Sequence, residues 1–205
     1  MRSIHRRLLL MSLIATVATA AIAESPLVTY FVSNFKLVSP ETRDVCDRLA
    51  DYVWSVVPLS MRYQMAAIAF FSTSAEDWID GRAEPDNTGY WTISFDIDIT
   101  KRVAYFDQVI AHELGHIVAR TAYGFNDYMT QFRQRFWLDG TSRGFLTAYA
   151  ATDEREDFCE SFSYFVLDRE MESPRTRFFL EYPVMAAYRV WMRQHMRSTQ
   201  GGFDK

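Results

Sequence analysis

The chain of 205 residues has a deficit of positive charge and few long apolar stretches. Its 22 basic residues are outnumbered by 26 acidic ones, which gives a formal net charge of −4. Nucleic-acid binding normally rests on a basic surface, so this balance argues against a nucleic-acid partner. The one long apolar run, Leu8–Ala23, is shorter than the roughly 20 residues that a membrane-spanning helix needs. We therefore expect no stable insertion in a membrane.

The chain also has few cysteines. Cys46 and Cys159 are the only two cysteines, so the chain can form at most one intramolecular disulfide. The alternative is that both are small buried residues, because sequence alone does not show whether two side chains are close enough to bridge. Aromatic residues make up 16% of the chain, which is typical of a well-packed globular protein and not of a disordered one.

The N-terminus has the pattern of a secretory signal peptide. Arg2, Arg6 and Arg7 precede the apolar run, which ends in Ala21-Ile22-Ala23, the small-residue pattern after which signal peptidases cut. Cleavage there would leave residues 24–205 as a single domain with 19 basic and 26 acidic residues, a net charge of −7. We therefore expect export to the periplasm or the extracellular space. A retained N-terminal anchor is the alternative.

Hydrophobic periodicity predicts an α+β fold that is mostly helical and has a small sheet. Residues Trp91–Thr100 alternate strictly between apolar and polar, which predicts a strand with one buried face and with Asp96 and Asp98 on the solvated face. The short apolar run Met65–Phe71 favours a buried strand. The segment Gly81–Gly89 is dense in turn-forming residues and is predicted to be a loop.

Helices are predicted from apolar residues at three- and four-residue spacing and from capping signals. They are expected from about Ser39 to Pro58, from Lys101 to Tyr123, from Asn126 to Leu138, from Thr152 onward, and from Pro174 to Met192 with an interruption at Pro183. The predicted strand at Trp91–Thr100 thus directly precedes a long helix.

Within that helix, His112-Glu113-Leu114-Gly115-His116 contains two histidines four residues apart. They are separated by about 40° around the helix, so both imidazoles can reach one ion. Glu113 projects about 100° from His112, from where its carboxylate can miss the ion yet contact a water bound to it, as a general base must. Glycine inside a helix costs about 1 kcal/mol relative to alanine, so Gly115 predicts a close approach of another segment.

A catalytic zinc site normally takes three protein ligands and leaves a fourth position for water, so a third ligand is needed. A later predicted helix offers Glu156 and Glu160 on one face. We expect Glu156 to bind zinc and Glu160 to accept the free ring N–H of a ligand histidine. Glu160 or Cys159 could instead be the ligand, and His195 is a weaker candidate. Glu156 could also serve only as the capping-box partner of Asp153.

These residues resemble the zincin metallopeptidases whose third ligand is a glutamate, and most closely the lethal-factor-type catalytic domain and its bacterial envelope relatives. The likeness lies in the His-Glu-Leu-Gly-His segment followed by Tyr149, Glu156, Phe158 and Glu160. It covers roughly Gly89–Asp168, and Cys159 departs from the alanine that is usual in the family. The resemblance implies a zincin-like domain in which Tyr149 stabilises the oxyanion. It also implies that Trp91–Thr100 is an edge strand to which an extended substrate binds.

The sequence therefore predicts an exported zinc peptidase, an endopeptidase acting on a peptide or protein substrate. His112, His116 and Glu156 would bind zinc, and Glu113 would be the general base. One alternative is a catalytically silent zinc-binding envelope module that recognises a protein or cell-wall partner, although a closed structural site has no use for a base. A thiol hydrolase using Cys159 is a further alternative, disfavoured because its histidine partners would already bind the metal.

Overall fold

The computed structural model describes residues 27–30, 40–71, 80–120, 127–138 and 143–197. The predicted signal peptide at residues 1–23 lies outside this part of the chain. Among the described residues, no helix is both long enough and apolar enough to cross a membrane.

Four strands form one mixed sheet: β1 (Leu27–Tyr30), β2 (Met65–Phe71), β3 (Gly81–Pro85) and β4 (Trp91–Asp96). Their order across the sheet is β1-β2-β4-β3. β1, β2 and β4 run parallel, whereas β3 pairs antiparallel with β4 as a hairpin. The predicted buried strand at Met65–Phe71 is confirmed, and its central residues are buried.

Two predictions about the edge of this sheet are wrong. β4 is not an edge strand, because it pairs with β2 on one side and β3 on the other, and so it has no free edge for a substrate. The predicted loop Gly81–Gly89 begins with five residues of strand, and only Asp86–Gly89 forms a turn. The Asp86 carboxylate accepts the N–H groups of Thr88 and Tyr90 at 2.8 and 3.0 Å, which closes the hairpin. The edge strand on this side of the sheet is β3.

β4 ends at Asp96, earlier than the alternating pattern predicts. The Asp96 carboxylate accepts the N–H of Asp98 at 2.7 Å, and the Thr100 hydroxyl donates to the carbonyl oxygen of Ile97 at 2.6 Å. These local bonds favour a turn over a strand, and the chain forms a 3-10 helix at Ile99–Lys101. Asp98 is exposed as predicted, but Asp96 is buried, contrary to its predicted position on the solvated face.

Seven α-helices lie within the described residues. They are α1 (Pro40–Val56), α2 (Leu59–Arg62), α3 (Val103–Arg120), α4 (Tyr128–Phe136), α5 (Glu154–Val166), α6 (Pro174–Phe178) and α7 (Pro183–His195). A second 3-10 turn at Phe179–Glu181 connects α6 to α7. Asp153 caps α5 as predicted, because its side chain accepts the N–H of Arg155. The predicted class, an α+β fold that is mostly helical with a small sheet, is confirmed.

α3 and α5 pack directly against each other at Gly115. A Cβ at this position would lie 3.0 Å from the Cα of Cys159 and 3.2 Å from its Cβ, closer than ordinary van der Waals contact. The predicted close approach at Gly115 is therefore found, and it sets the distance between the histidine helix and the carboxylates of α5. Cys159 and Cys46 are both buried free thiols, which is the second of the two alternatives for the cysteines.

Candidate metal centre

α3 carries His112, Glu113 and His116 on the side that lines a cleft. The apolar residues on the other side of this helix are buried, namely Phe106, Ile110, Leu114, Ile117 and Val118. The helix is nevertheless embedded more deeply than a surface amphipathic helix, because His112 and Glu113 are only 7% and 4% exposed. The two imidazole rings are neighbours in an edge-to-face arrangement, with their centroids 5.1 Å apart and an interplanar angle of 74°.

The Glu156 carboxylate on α5 meets both imidazoles. Its Oε2 lies 3.0 Å from Nε2 of His112 and 3.7 Å from Nε2 of His116. In a tetrahedral site with zinc–ligand bonds of about 2.0–2.1 Å, neighbouring ligand atoms are about 3.3 Å apart. The two separations bracket this value, and two imidazoles with one carboxylate are donors that zinc accepts. The three side chains therefore fit a zinc ion.

Cys159 is a competing donor. Its Sγ and one nitrogen of each imidazole lie within 4.8 Å of one another. The thiol is fully buried beside Gly115, and burial, followed by the charge of Glu156, raises its pKa well above the usual value. We favour Glu156 as the ligand, because its Oε2 lies within 3.7 Å of both Nε2 atoms and its side chain is 20% exposed beside the cleft. A buried, protonated thiol also lacks the thiolate character that a thiol hydrolase needs.

Glu160, one turn further along α5, contacts the other nitrogen of His112. The Oε1–Nδ1 distance is 3.0 Å, and both side chains are 9% exposed. This contact favours a proton on Nδ1, so that Nε2, which faces Glu156, is the nitrogen that would bind a metal after it loses its own proton. His195 lies apart on α7, where its ring stacks on Trp191 with centroids 4.3 Å apart.

The histidines have pKa shifts of opposite direction. Burial lowers the pKa of His112, but hydrogen bonds to Glu156 and Glu160 outweigh burial and raise it to about 9. Burial and then the charge of His112 lower the pKa of His116 to about 4. Burial raises the pKa of Glu156, but the hydrogen bond to His112 and the charges of both histidines bring it below its usual value. At neutral pH, His116 is therefore neutral and Glu156 anionic, the forms that bind a cation, whereas His112 is protonated in the metal-free protein and must release a proton when a metal binds.

Glu113 is a buried carboxyl group with one unsatisfied oxygen. Within the described part of the chain, no group hydrogen-bonds to its Oε2. The backbone N–H of Ala83 in β3 donates to this carboxyl group, and a Cβ added at Gly81 would lie 2.9 Å from its Oε1. Burial raises the pKa of Glu113 to about 7, although the charge of His112 opposes the shift. Such a group can accept and release a proton near neutral pH.

Tyr149 borders the site from the segment that precedes α5. Its ring centroid lies 5.8 Å from that of His112, and its hydroxyl donates to the Glu156 carboxylate. Burial of the hydroxyl and the charge of Glu156 raise the pKa of Tyr149, so the phenol keeps its proton. The residue is 55% exposed, so a molecule in the cleft can reach it.

Two adjoining clefts meet at these residues, with volumes of about 410 and 430 Å³. Both are lined by Gly81, His112, Glu113 and Tyr149. The first continues past β3 to Trp91 and to three arginines, Arg82, Arg120 and Arg155. The second continues to Asp80, Tyr105, Gln108, Thr147 and Glu160. An extended molecule can therefore pass from one cleft to the other across His112 and Glu113.

Two residues of β3 approach Glu113 although the sequence pattern did not predict them as part of the site. Gly81 and Ala83 belong to the segment predicted to be a loop, because its glycine, proline, aspartate and asparagine residues are strong turn formers. The signal that could have found the strand is weak. Small residues at Gly81 and Ala83 alternate with charged Arg82 and Glu84, which is a period of two.

No protein-family model matches the chain, and no curated protein is significantly similar to it. The side chains that meet in the cleft are therefore the basis for a functional proposal.

Proposed function

We propose that the chain is a zinc-dependent peptidase that hydrolyses peptide bonds with a metal-activated water. The observation that carries this proposal is the convergence of His112, His116 and Glu156 next to Glu113, a buried carboxyl group with a free oxygen. Three nitrogen and oxygen ligands beside a base are typical of catalytic zinc sites, whereas structural sites close the fourth position. Export to the periplasm or the extracellular space is part of the proposal and rests on the N-terminal sequence.

The residues of the site have separate roles in this proposal. Zinc, when bound, would lower the pKa of a water molecule and polarise the substrate carbonyl. Glu113 takes the proton of the attacking water and returns it to the leaving amine, a role suited to a pKa of about 7. Tyr149 donates a hydrogen bond to the oxygen that gains negative charge in the transition state. Glu160 holds the His112 ring with Nε2 directed to the ligand position.

β3 offers an edge along which an extended peptide can bind. The backbone hydrogen bonds of Asp80 and Asp86 are made to the β4 side of the hairpin, so the alternate residues Gly81 and Ala83 direct their backbone groups to the free edge. That edge borders the cleft in which Glu113 lies. A peptide added to it would extend the sheet and bring its backbone past the general base.

Metal analysis of the purified mature protein, together with turnover of a diverse peptide library, tests the proposal. We expect close to one zinc ion per chain and peptide hydrolysis by the wild type. Glu113→Gln is expected to keep its zinc and lose at least about 100-fold in kcat. Glu181→Gln, an exposed carboxylate paired with Arg135, is the matched control and should have wild-type activity.

Two results would contradict the proposal. Equal turnover by the wild type and Glu113→Gln would remove Glu113 from its role as the base. Stoichiometric zinc without turnover of any peptide in the library would instead support the silent zinc-binding module.

A further inference from the structure

Asp157 and Arg175 form a buried ion pair beside the proposed ligand Glu156. Asp157 is 0% exposed and Arg175 is 4% exposed. The Nε of Arg175 donates to the two carboxylate oxygens of Asp157 at distances of 2.9 and 2.8 Å. Trp137 donates its indole N–H to the same carboxylate at 2.9 Å. Because Asp157 directly follows Glu156 in the first turn of α5, these bonds fix the turn that carries the proposed ligand.

Arg175 also holds residues 143–153, the described segment that precedes α5. Its Nη1 donates to the backbone carbonyl oxygen of Arg143 at 2.8 Å. Its guanidinium group lies against the rings of Phe136 and Phe145, 5.0 and 4.7 Å from their centroids. One side chain therefore joins α6, the first turn of α5 and the segment that leads to Tyr149.

That segment forms a wall of the cleft. Thr147 and Tyr149 both line it. The N–H and the hydroxyl of Thr152 donate to the carbonyl oxygen of Tyr149 at 3.0 and 2.7 Å, which makes a compact turn just before α5. The segment is held at its start by Arg175 and at its end by the Asp153 cap.

We infer that Asp157 and Arg175 are positioning residues, which set the place of the Tyr149 hydroxyl relative to Glu156 for the reaction. The inference rests on the proposed peptidase function. A buried ion pair by itself is weak support for stability, because well-packed apolar residues of similar volume often serve as well. Apolar residues cannot, however, donate hydrogen bonds to a carboxylate in α5 and to a carbonyl group in the Tyr149 segment. The planar guanidinium group of arginine has several donors and can make both bonds at the same time.

Three variants separate positioning from stability. Arg175→Met leaves the Asp157 charge buried without its partner and should lower the unfolding midpoint. The double variant Asp157→Asn/Arg175→Met removes both charges, so its unfolding midpoint should return most of the way to the wild-type value. Its kcat should nevertheless stay about 10- to 100-fold below that of the wild type. Arg175→Lys keeps the charge but loses the fork, and its kcat should fall similarly. Zinc affinity should change by less than about tenfold in the double variant.

Hydrogen exchange of the metal-free protein provides a readout that requires neither zinc nor turnover. The amides of residues 147–152 should exchange faster in the double variant than in the wild type, whereas those of α7 should not change. Arg135→Met is the matched control. Arg135 also binds both oxygens of a carboxylate, Glu181, and lies over the Phe178 ring at 5.2 Å, but it does so on the exposed surface. The Arg135→Met variant should have the kcat of the wild type and the same rate of hydrogen exchange at residues 147–152.

The positioning role and the peptidase function can fail separately. Wild-type kcat and wild-type exchange at residues 147–152 in the double variant would overturn the positioning role while the enzyme remains active. Alternatively, the wild type could bind zinc but cleave no peptide, while residues 147–152 exchange faster in the double variant. That result would support the role of Arg175 in holding the segment and would count against the peptidase function.

Discussion

Substitution of Gly115 by alanine tests the helix packing that brings the two histidines to Glu156. Alanine stabilises a helix interior by about 1 kcal/mol relative to glycine. Against this, the new methyl group would lie 3.0 Å from the Cα of Cys159 and 3.2 Å from its Cβ. Overpacking of this kind costs about 1–3 kcal/mol. The nearest atom is backbone and cannot rotate away, so we expect Gly115→Ala to lower the free energy of unfolding by about 1 kcal/mol.

The same substitution should weaken zinc binding. α3 can relieve the contact only by moving away from α5, which separates the histidines from Glu156, now at 3.0 and 3.7 Å. Because metal ligands tolerate errors of only about 0.2 Å, we expect a loss of about tenfold in zinc affinity. This loss would accompany the loss in stability, since both arise from the same displacement.

Urea unfolding of the metal-free protein measures the stability change, and competition with a chromophoric chelator measures zinc affinity. Ala187→Gly in α7 is the control, because Ala187 is exposed and reports helix propensity without a packing contact. Cys159→Gly removes the Cβ and Sγ contacts, so it should reduce the cost of Gly115→Ala in a double-mutant cycle. If Gly115→Ala gained as much stability as Ala187→Gly loses, with zinc affinity unchanged, the contact with Cys159 would not set the distance between α3 and α5.

Three further predictions concern the site itself. Glu156→Ala should weaken zinc binding by at least about 100-fold, Glu160→Ala by about 10- to 100-fold and Cys159→Ser by less than about tenfold. Competition with a chelator measures these affinities. A loss of affinity confined to Glu160→Ala would make Glu160 the ligand in place of Glu156. The pKa of Glu113 is raised from 4.5 to about 7 in the fold, so its stabilising contribution in the metal-free protein is complete below pH 4.5 and is lost as the pH rises through about 7. Urea unfolding should therefore show the stability of the wild type, relative to Glu113→Gln, falling by about 3 kcal/mol between pH 4.5 and about 8, and a pH-independent difference would contradict the buried carboxyl group. Gly81→Ala should lower kcat by about tenfold, because the new methyl group would lie 2.7 Å from Val109 Cγ1 and 2.9 Å from Glu113 Oε1. Steady-state kinetics at matched zinc content checks this, and an unchanged kcat would show that Glu113 tolerates the displacement.

The helical part of the site could be predicted because its signals are local. The spacing of His112 and His116 fixes their relative direction on any helix, and the glycine between them indicates a close neighbour. Glu156 and Glu160 could be assigned different contacts because one turn separates them on α5. The α+β class followed from period and capping signals in the same way.

The features of the fold and the site that could not be predicted depend on contacts between segments that are distant in the sequence. Strand order is decided by which segments pair, and the alternation in β4 is the same for an internal strand as for an edge strand. The position of β3 at the edge of the sheet therefore could not be predicted from the sequence. Asp96 was predicted to be exposed from alternation alone, whereas a local hydrogen bond to Asp98 ends the strand at that residue. Nothing in the sequence next to Asp157 indicates that Arg175 is its partner.

β3 also affects how the molecule behaves beside its own copies. An open strand edge is a template for pairing with another chain, and proteins blunt such edges with proline and charge. Pro85 has no N–H to offer, the N–H of Ala83 is engaged by Glu113, and Arg82 and Glu84 add charge to the same strand. This edge therefore offers a pairing strand mainly the carbonyl oxygens of Gly81 and Ala83, which suits a short peptide held in the cleft but makes a poor seed for extended sheets between copies of the chain.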